Sequence, residues 1–323
     1  MLDINKDRPS CRSKVRRNMA AEMPPEPIQR CPACLSLLRR MPENSKPQGC
    51  RCVSCGLTVQ APDCGSADME RTVQHYRSVD PHERVAASKS GFYHQALHYL
   101  DLKVVRHPRR LLDVGCGFGY FLEKAEAFRW ETLGVEIVPE AVLSVKGRVP
   151  AAQVFGGDLR DAKLPAASLD AVTMWDVLCL VEDPAAELEE CHRILAPGGI
   201  IGIRVRNVTS QLWLCRCFSR LFQLWRKLGI KPLHVFHRYN FTCRAIEQLL
   251  VRQGFVNILI HNSPPTTGDP YQYFSIGAGV GLSKSLAAAL FELVYRLTHG
   301  RSVIGPSLLV WAQKPRHPSA ISP

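Results

Sequence analysis

Between positions 109 and 205, short apolar runs alternate with stretches of helical period. The runs lie at 111–114, 132–136, 152–155, 169–174 and 200–205, and each is mainly apolar with one or two polar positions. Between the runs, 119–128, 139–146 and 185–194 space their apolar residues as helices do. Strands alternating with helices predict a doubly wound, mostly parallel α/β sheet. Pro197, Gly198 and Gly199 read as the turn before the fifth strand.

The flanks divide less regularly. Residues 1–30 combine Lys6, Arg8, Arg12, Lys14, Arg16 and Arg17 with a proline-rich stretch, and read as a disordered basic tail. Residues 31–65 form a cysteine module. Residues 66–108 read as a helical lead-in, with Phe92, Ala96, Leu97 and Leu100 at helical spacing. The main domain is expected over 109–261. Within it, an apolar-basic helix at 211–230 serves as a lid, followed by a helix at 242–253 and a strand at 255–261. Residues 262–314 supply a helix at 283–299 and a last strand at 308–312, and 315–323 form a tail.

Composition narrows the class. The 323 residues are 46% apolar, enough for one substantial domain and a small module. No run approaches about 18 uninterrupted apolar residues, so no membrane span is expected. The first thirty residues have no apolar signal core, and a cytoplasmic location follows. The thirteen cysteines include two C-x-x-C pairs, which suits metal binding in a reducing compartment better than a disulfide framework. The net charge of +12 fits either an anionic partner or a basic tail plus a solvated surface.

Near its end the first run carries Asp113, followed by a turn bearing Gly115, Gly117 and Gly119. Glycines there admit positive φ and bring bare backbone against a nucleoside-type ligand. The register is D-x-G-x-G-x-G. A dinucleotide fingerprint would need a small residue where Tyr120 stands. Glu136 ends the second run, where an acid can accept from ribose hydroxyls. Gly156, Gly157, Asp158 and Leu159 follow the third run, 169–177 carries the fourth through Trp175 and Asp176, and 193–199 leads into the fifth.

Together these pieces resemble the class I S-adenosylmethionine-dependent methyltransferases, in the group that includes ubiquinone and menaquinone biosynthesis enzymes. The resemblance covers residues 105–260. It implies a doubly wound, mostly parallel seven-stranded Rossmann-like sheet. It also implies a cofactor site in which Asp113 and the backbone of Gly115, Cys116, Gly117 and Gly119 hold the methionine part. Glu136 and Ile137 hold the ribose end, Asp158 and Leu159 the adenine, and Trp175 and Asp176 lie beside the methyl donor. The chain departs from these relatives after the fourth strand. Many carry a Leu-Glu-His-Val run where this chain has Leu178, Cys179, Leu180 and Val181. The base expected there is therefore missing. His234 is the candidate catalytic residue, because 232–242 resembles the His-Leu-Tyr-x-Phe-Ser/Thr segment of enzymes with sugar- or envelope-type acceptors. Thr242 would then cap the next helix.

Cys31, Cys34, Cys52 and Cys55 form C-x2-C-x17-C-x2-C. This spacing reads as a closed four-thiolate zinc ribbon. A ribbon so short draws its folding energy from the metal.

Three function classes follow. The first is methyl transfer to a small-molecule, sugar or glycan/lipid-linked acceptor, with the zinc ribbon shaping the acceptor site. The alternative is an RNA methyltransferase whose ribbon grips RNA. Against it, the fourth strand lacks the Asn/Asp-Pro-Pro-aromatic loop of exocyclic-amine enzymes, and the basic residues include no clear aromatic-interleaved patch. The third is a non-enzymatic adaptor, which an intact cofactor set argues against. The basic helix at 211–230 would cover the acceptor as a lid, with Trp213 on its acceptor side. The other reading of this helix is contact with an anionic membrane at the inner face.

Overall fold

The structure, a computed structural model, describes residues 30–42, 49–60, 80–105, 107–217, 237–264 and 289–316. Three short strands come first: β1 (Leu38–Arg40), β2 (Gly49–Cys52) and β3 (Thr58–Gln60). The helix α1 (Asp80–Lys103) leads into β4 (Arg110–Val114), α2 (Tyr120–Ala127), β5 (Glu131–Glu136), α3 (Pro139–Arg148) and β6 (Gln153–Gly156). Then follow β7 (Leu169–Trp175), α4 (Pro184–Ile194), β8 (Leu195–Arg206) and α5 (Val208–Cys217). β9 (Tyr239–Asn240), α6 (Cys243–Arg252), β10 (Val256–Asn262) and β11 (Ser307–Gln313) follow, and residues 289–297 are helical between the last two strands.

The large sheet has the order β10-β11-β8-β7-β4-β5-β6. β4 through β8 pair in parallel, and β11 runs antiparallel to both β8 and β10. This is the seven-stranded, doubly wound sheet expected from the sequence, with one reversed strand. The winding changes direction where β4 sits between β5 and β7, and ligands of such sheets bind beyond the strand ends there. The glycine turn after β4 occupies that place.

Two apolar layers cover the sheet. On one face, Phe92, Ala96, Leu97 and Leu100 of α1 pack with Phe121, Leu122 and Val145 of α2 and α3 and with Trp175 and Trp311. On the other, Leu188, Cys191 and Ile194 of α4 join Ala245, Ile246, Leu249 and Leu250 of α6. α4 starts on Pro184, with Asp183 accepting from the Ala185 and Ala186 amides as its N-cap.

Three sequence expectations are corrected. The segment around Pro197, Gly198 and Gly199 is part of β8, not a turn before it. The Gly198 amide donates to Lys314 O, and the Lys314 amide to Gly199 O, so the end of β11 keeps this irregular stretch in the sheet. The helix expected at 211–230 begins three residues earlier, at Val208; beyond Cys217, and as far as 236, it lies outside the described residues. Trp213 is 61% exposed. Finally, the cysteine module is not a separate bead. β3 pairs with β9, so the four-stranded sheet β1-β2-β3-β9 takes its last strand from the main domain. Cys31, Ala33, Cys52, Cys55 and Leu57 belong to the same apolar cluster as α6. Among the described residues, no helix is long and apolar enough to cross a membrane.

Candidate active site

Asp113 and the glycine turn form one rigid unit. The φ angles of Gly115, Gly117 and Gly119 are 69°, 53° and 79°, a region that side chains with Cβ rarely enter. A Cβ on Gly115 would also lie 2.4 Å from Val177 Cγ2. The amides of Gly115 and Cys116 both donate to Val135 O, which ties the turn to β5. Glu136 braces it from the next strand end, with Oε2 accepting from the Gly117 amide at 2.8 Å and Oε1 from the Val138 amide at 2.9 Å. Each carboxylate oxygen keeps a second lone pair for a ligand hydroxyl.

Asp113 is buried and accepts from the Thr173 hydroxyl at 2.7 Å. Burial pushes its carboxyl up to about 8; the Thr173 bond and Lys89 pull the other way, and Glu136 adds to the rise. Burial likewise raises Glu136. Two neighbouring acids held in an apolar setting are costly on their own and suit a cationic ligand.

Ile137 is 48% exposed directly beside Glu136, an apolar surface at the mouth of the site. Cys116 turns the other way. Its side chain packs beside Gly134, where a Cβ would lie 2.7 Å from Sγ, so only its backbone faces the turn. Asp158 is exposed, and its Oδ1 closes a turn by accepting from the Arg160 and Asp161 amides. Leu159 is buried. Trp175 lies in an aromatic cluster, edge-on to Phe92, Phe121 and Trp311.

Asp176 follows β7 at φ 66°, a strained position for a residue with Cβ. Its Oδ2 pairs with Lys89 Nζ at 3.1 Å and with Arg204 Nη1 at 2.5 Å. Arg204 is almost wholly buried, donates through Nε to Ser263 Oγ, and lies over the Phe92 ring. Sequence reasoning missed Lys89, Arg204 and Thr173. Arg204 left a signal: it is the one charge inside the apolar run Ile200, Ile201, Gly202, Ile203, Val205. His234, the candidate base, lies outside the described residues. His237 is buried, in a turn closed by Asn240, whose side chain accepts from the His237 amide and donates to its carbonyl.

The four cysteines come together as the spacing predicted. Their Sγ atoms all lie within 4.8 Å of one another. Cys31 and Cys55 are 3.5 Å apart, and Cys34 and Cys52 are 3.3 Å apart. Four thiolates around a zinc ion at about 2.3 Å need sulfur separations of roughly 3.8 Å, a small expansion from this cluster.

The family whose description is "Methyltransferase domain" matches residues 64–260, more than half of the sequence. The chain belongs to the methyltransferase domain family. A probable S-adenosylmethionine-dependent methyltransferase of Mycolicibacterium smegmatis is 28% identical to this chain over 147 residues, covering 46% of this chain and 52% of that protein. A ubiquinone biosynthesis O-methyltransferase of Alkalilimnicola ehrlichii is 33% identical over 128 residues, covering 37% of this chain and 51% of its own. The chain thus spans about half the length of the curated relatives it matches. A solved SAM-dependent methyltransferase from Thermotoga maritima has 19% identity and a TM-score of 0.46, with 74% of this chain and 97% of that chain covered.

Proposed function

We propose that this chain transfers a methyl group from S-adenosylmethionine to a small-molecule, sugar or glycan/lipid-linked acceptor by in-line displacement. The observation that carries the reading is the buried pair of strand-end acids, Asp113 and Glu136, locked around a left-handed glycine turn at the point where the sheet reverses its winding. The residues fit a cofactor that joins a cationic amino acid to a nucleoside. Asp113 and the turn backbone hold the amino-acid end, with Glu136 and the neighbouring Ile137 at the ribose and Asp158 and Leu159 around the adenine. The bound sulfonium supplies an already activated methyl group. The chain's part is to align the acceptor and exclude water. Asp176, clamped by Lys89 and Arg204, is proposed to lie beside the methyl donor as a fixed acceptor of hydrogen bonds. A base is required only when the acceptor is a hydroxyl or an acidic carbon, and His234 is proposed for that role.

Zinc is proposed as the second cofactor, held structurally by Cys31, Cys34, Cys52 and Cys55. The closeness of the four sulfurs supports it. Thiolates of this kind persist in a reducing compartment, so we place the protein in the cytoplasm.

The test is a labelling experiment. Methyl-labelled S-adenosylmethionine is incubated with the protein and fractionated host extract, with Asp113→Ala as control. Label in a small-molecule, glycan or lipid fraction, lost in the variant, supports the proposal. RNase-sensitive label would overturn it in favour of an RNA acceptor.

A further inference from the structure

The cysteine ribbon is fastened to both ends of one helix. At the start of α6, Thr242 donates its hydroxyl to Cys55 O at 2.6 Å and accepts from the Ala245 amide at 3.0 Å. At its end, Arg252 Nη1 donates to Pro32 O at 2.5 Å. Cys55 closes one C-x-x-C knuckle, and Pro32 lies inside the other. The two knuckles therefore hold points about 15 Å apart along α6.

The connection continues toward the site. β9, just before α6, is the fourth strand of the ribbon's sheet, with Thr58 opposite Asn240 and Val59 opposite Tyr239. The Tyr239 amide donates to Cys179 O at 3.0 Å, and its hydroxyl to Glu182 O at 2.8 Å. Cys179 and Glu182 lie in the loop that follows Asp176, and Cys179 Sγ contacts Asp176 O at 3.4 Å. In this loop the relatives' Glu-His pair is absent. What holds it here is a strand anchored in the ribbon. The glycine turn has its own anchors, the Gly115 and Cys116 amides on Val135 O and the Gly117 amide on Glu136.

We infer that the ribbon is a metal-dependent clamp on the acceptor side of the site. With metal bound it fixes segment 237–242 and the loop after Asp176, and Thr242 and Arg252 are the positioning residues that transmit the constraint. The inference rests on reading the four cysteines as a zinc site. The physical reason is that the knuckle carbonyls accepting from Thr242 and Arg252 are fixed only while the thiolates share an ion. Without it, both ends of α6 lose their partners, while the cofactor turn keeps its own.

Hydrogen exchange on the full-length chain tests this, comparing zinc-loaded with chelator-stripped protein and adding calorimetry with S-adenosylhomocysteine. Stripping should speed exchange across 237–252 by about tenfold or more, leaving 110–136 and S-adenosylhomocysteine affinity within about twofold. With zinc retained, Arg252→Met should loosen 237–242 by about threefold, ten residues from the change, which a local packing loss would not do. Thr242→Ala should act likewise and Thr242→Ser should restore protection, since serine keeps both hydrogen bonds. Unchanged exchange at 237–252 on stripping overturns the clamp. So does exchange rising equally at 110–136 with loss of S-adenosylhomocysteine binding, since the ribbon would then hold the whole fold. Isolated protein without bound metal overturns it too. Failure of the zinc-loaded protein to bind S-adenosylhomocysteine instead overturns the cofactor reading, and the exchange result still decides the clamp.

Discussion

Asp113 makes the sharpest test at the level of one side chain. Burial lifts its carboxyl to about 8, well above the ordinary carboxylate range. A group raised in the folded state favours folding below its unfolded value, and that contribution is lost as pH climbs through the folded value. The ligand-free protein should therefore lose stability between about pH 4 and pH 8 from this group. A cationic cofactor needs the ionised form, so its affinity should rise over the same interval by up to about tenfold per pH unit. Calorimetry in two buffers of different ionisation enthalpy should show a proton released on binding; identical heats would contradict this. Gly115→Ala makes a steric test beside it. A new Cβ 2.4 Å from Val177 at φ 69° should cost roughly 1–3 kcal/mol in a denaturant melt and weaken S-adenosylhomocysteine binding. Asp113, Glu136 and the glycines were legible because strand end, turn and helix start are consecutive in the chain. Lys89 and Arg204 were not, because only folding brings α1 and β8 to Asp176.

Elements were read best where their signals are local. Asp183 and Pro184 mark the start of α4, and the apolar spacing of α6 buries Ala245, Ile246, Leu249 and Leu250. Asp183→Ala should cost about 1 kcal/mol and lower Tm by a few degrees, with cofactor affinity unchanged. A loss of cofactor binding would show that the cap also shapes the site. Elements were misread where a distant partner decides. Proline and two glycines signal a turn, yet β11 arrives alongside and keeps residues 195–199 in β8. The two residues of β9 carry no periodic signal, and they are a strand only because β3 lies beside them.

For the molecule as a whole, the sequence pattern showed a sheet of this class and a ribbon at its head, but not that the two share a core. That fact depends on contacts between residues far apart in the chain: Asn240 with Thr58, 182 positions away, and Arg252 with Pro32, 220 positions away. On the ribosome the ribbon's first three strands emerge long before their fourth. At 5–20 residues per second, roughly ten to forty seconds separate Thr58 from Asn240. Throughout that interval four thiols and an unpaired strand edge are exposed to the cell, so early metal capture would shield the nascent chain from oxidation and mispairing until its own carboxyl-terminal half arrives.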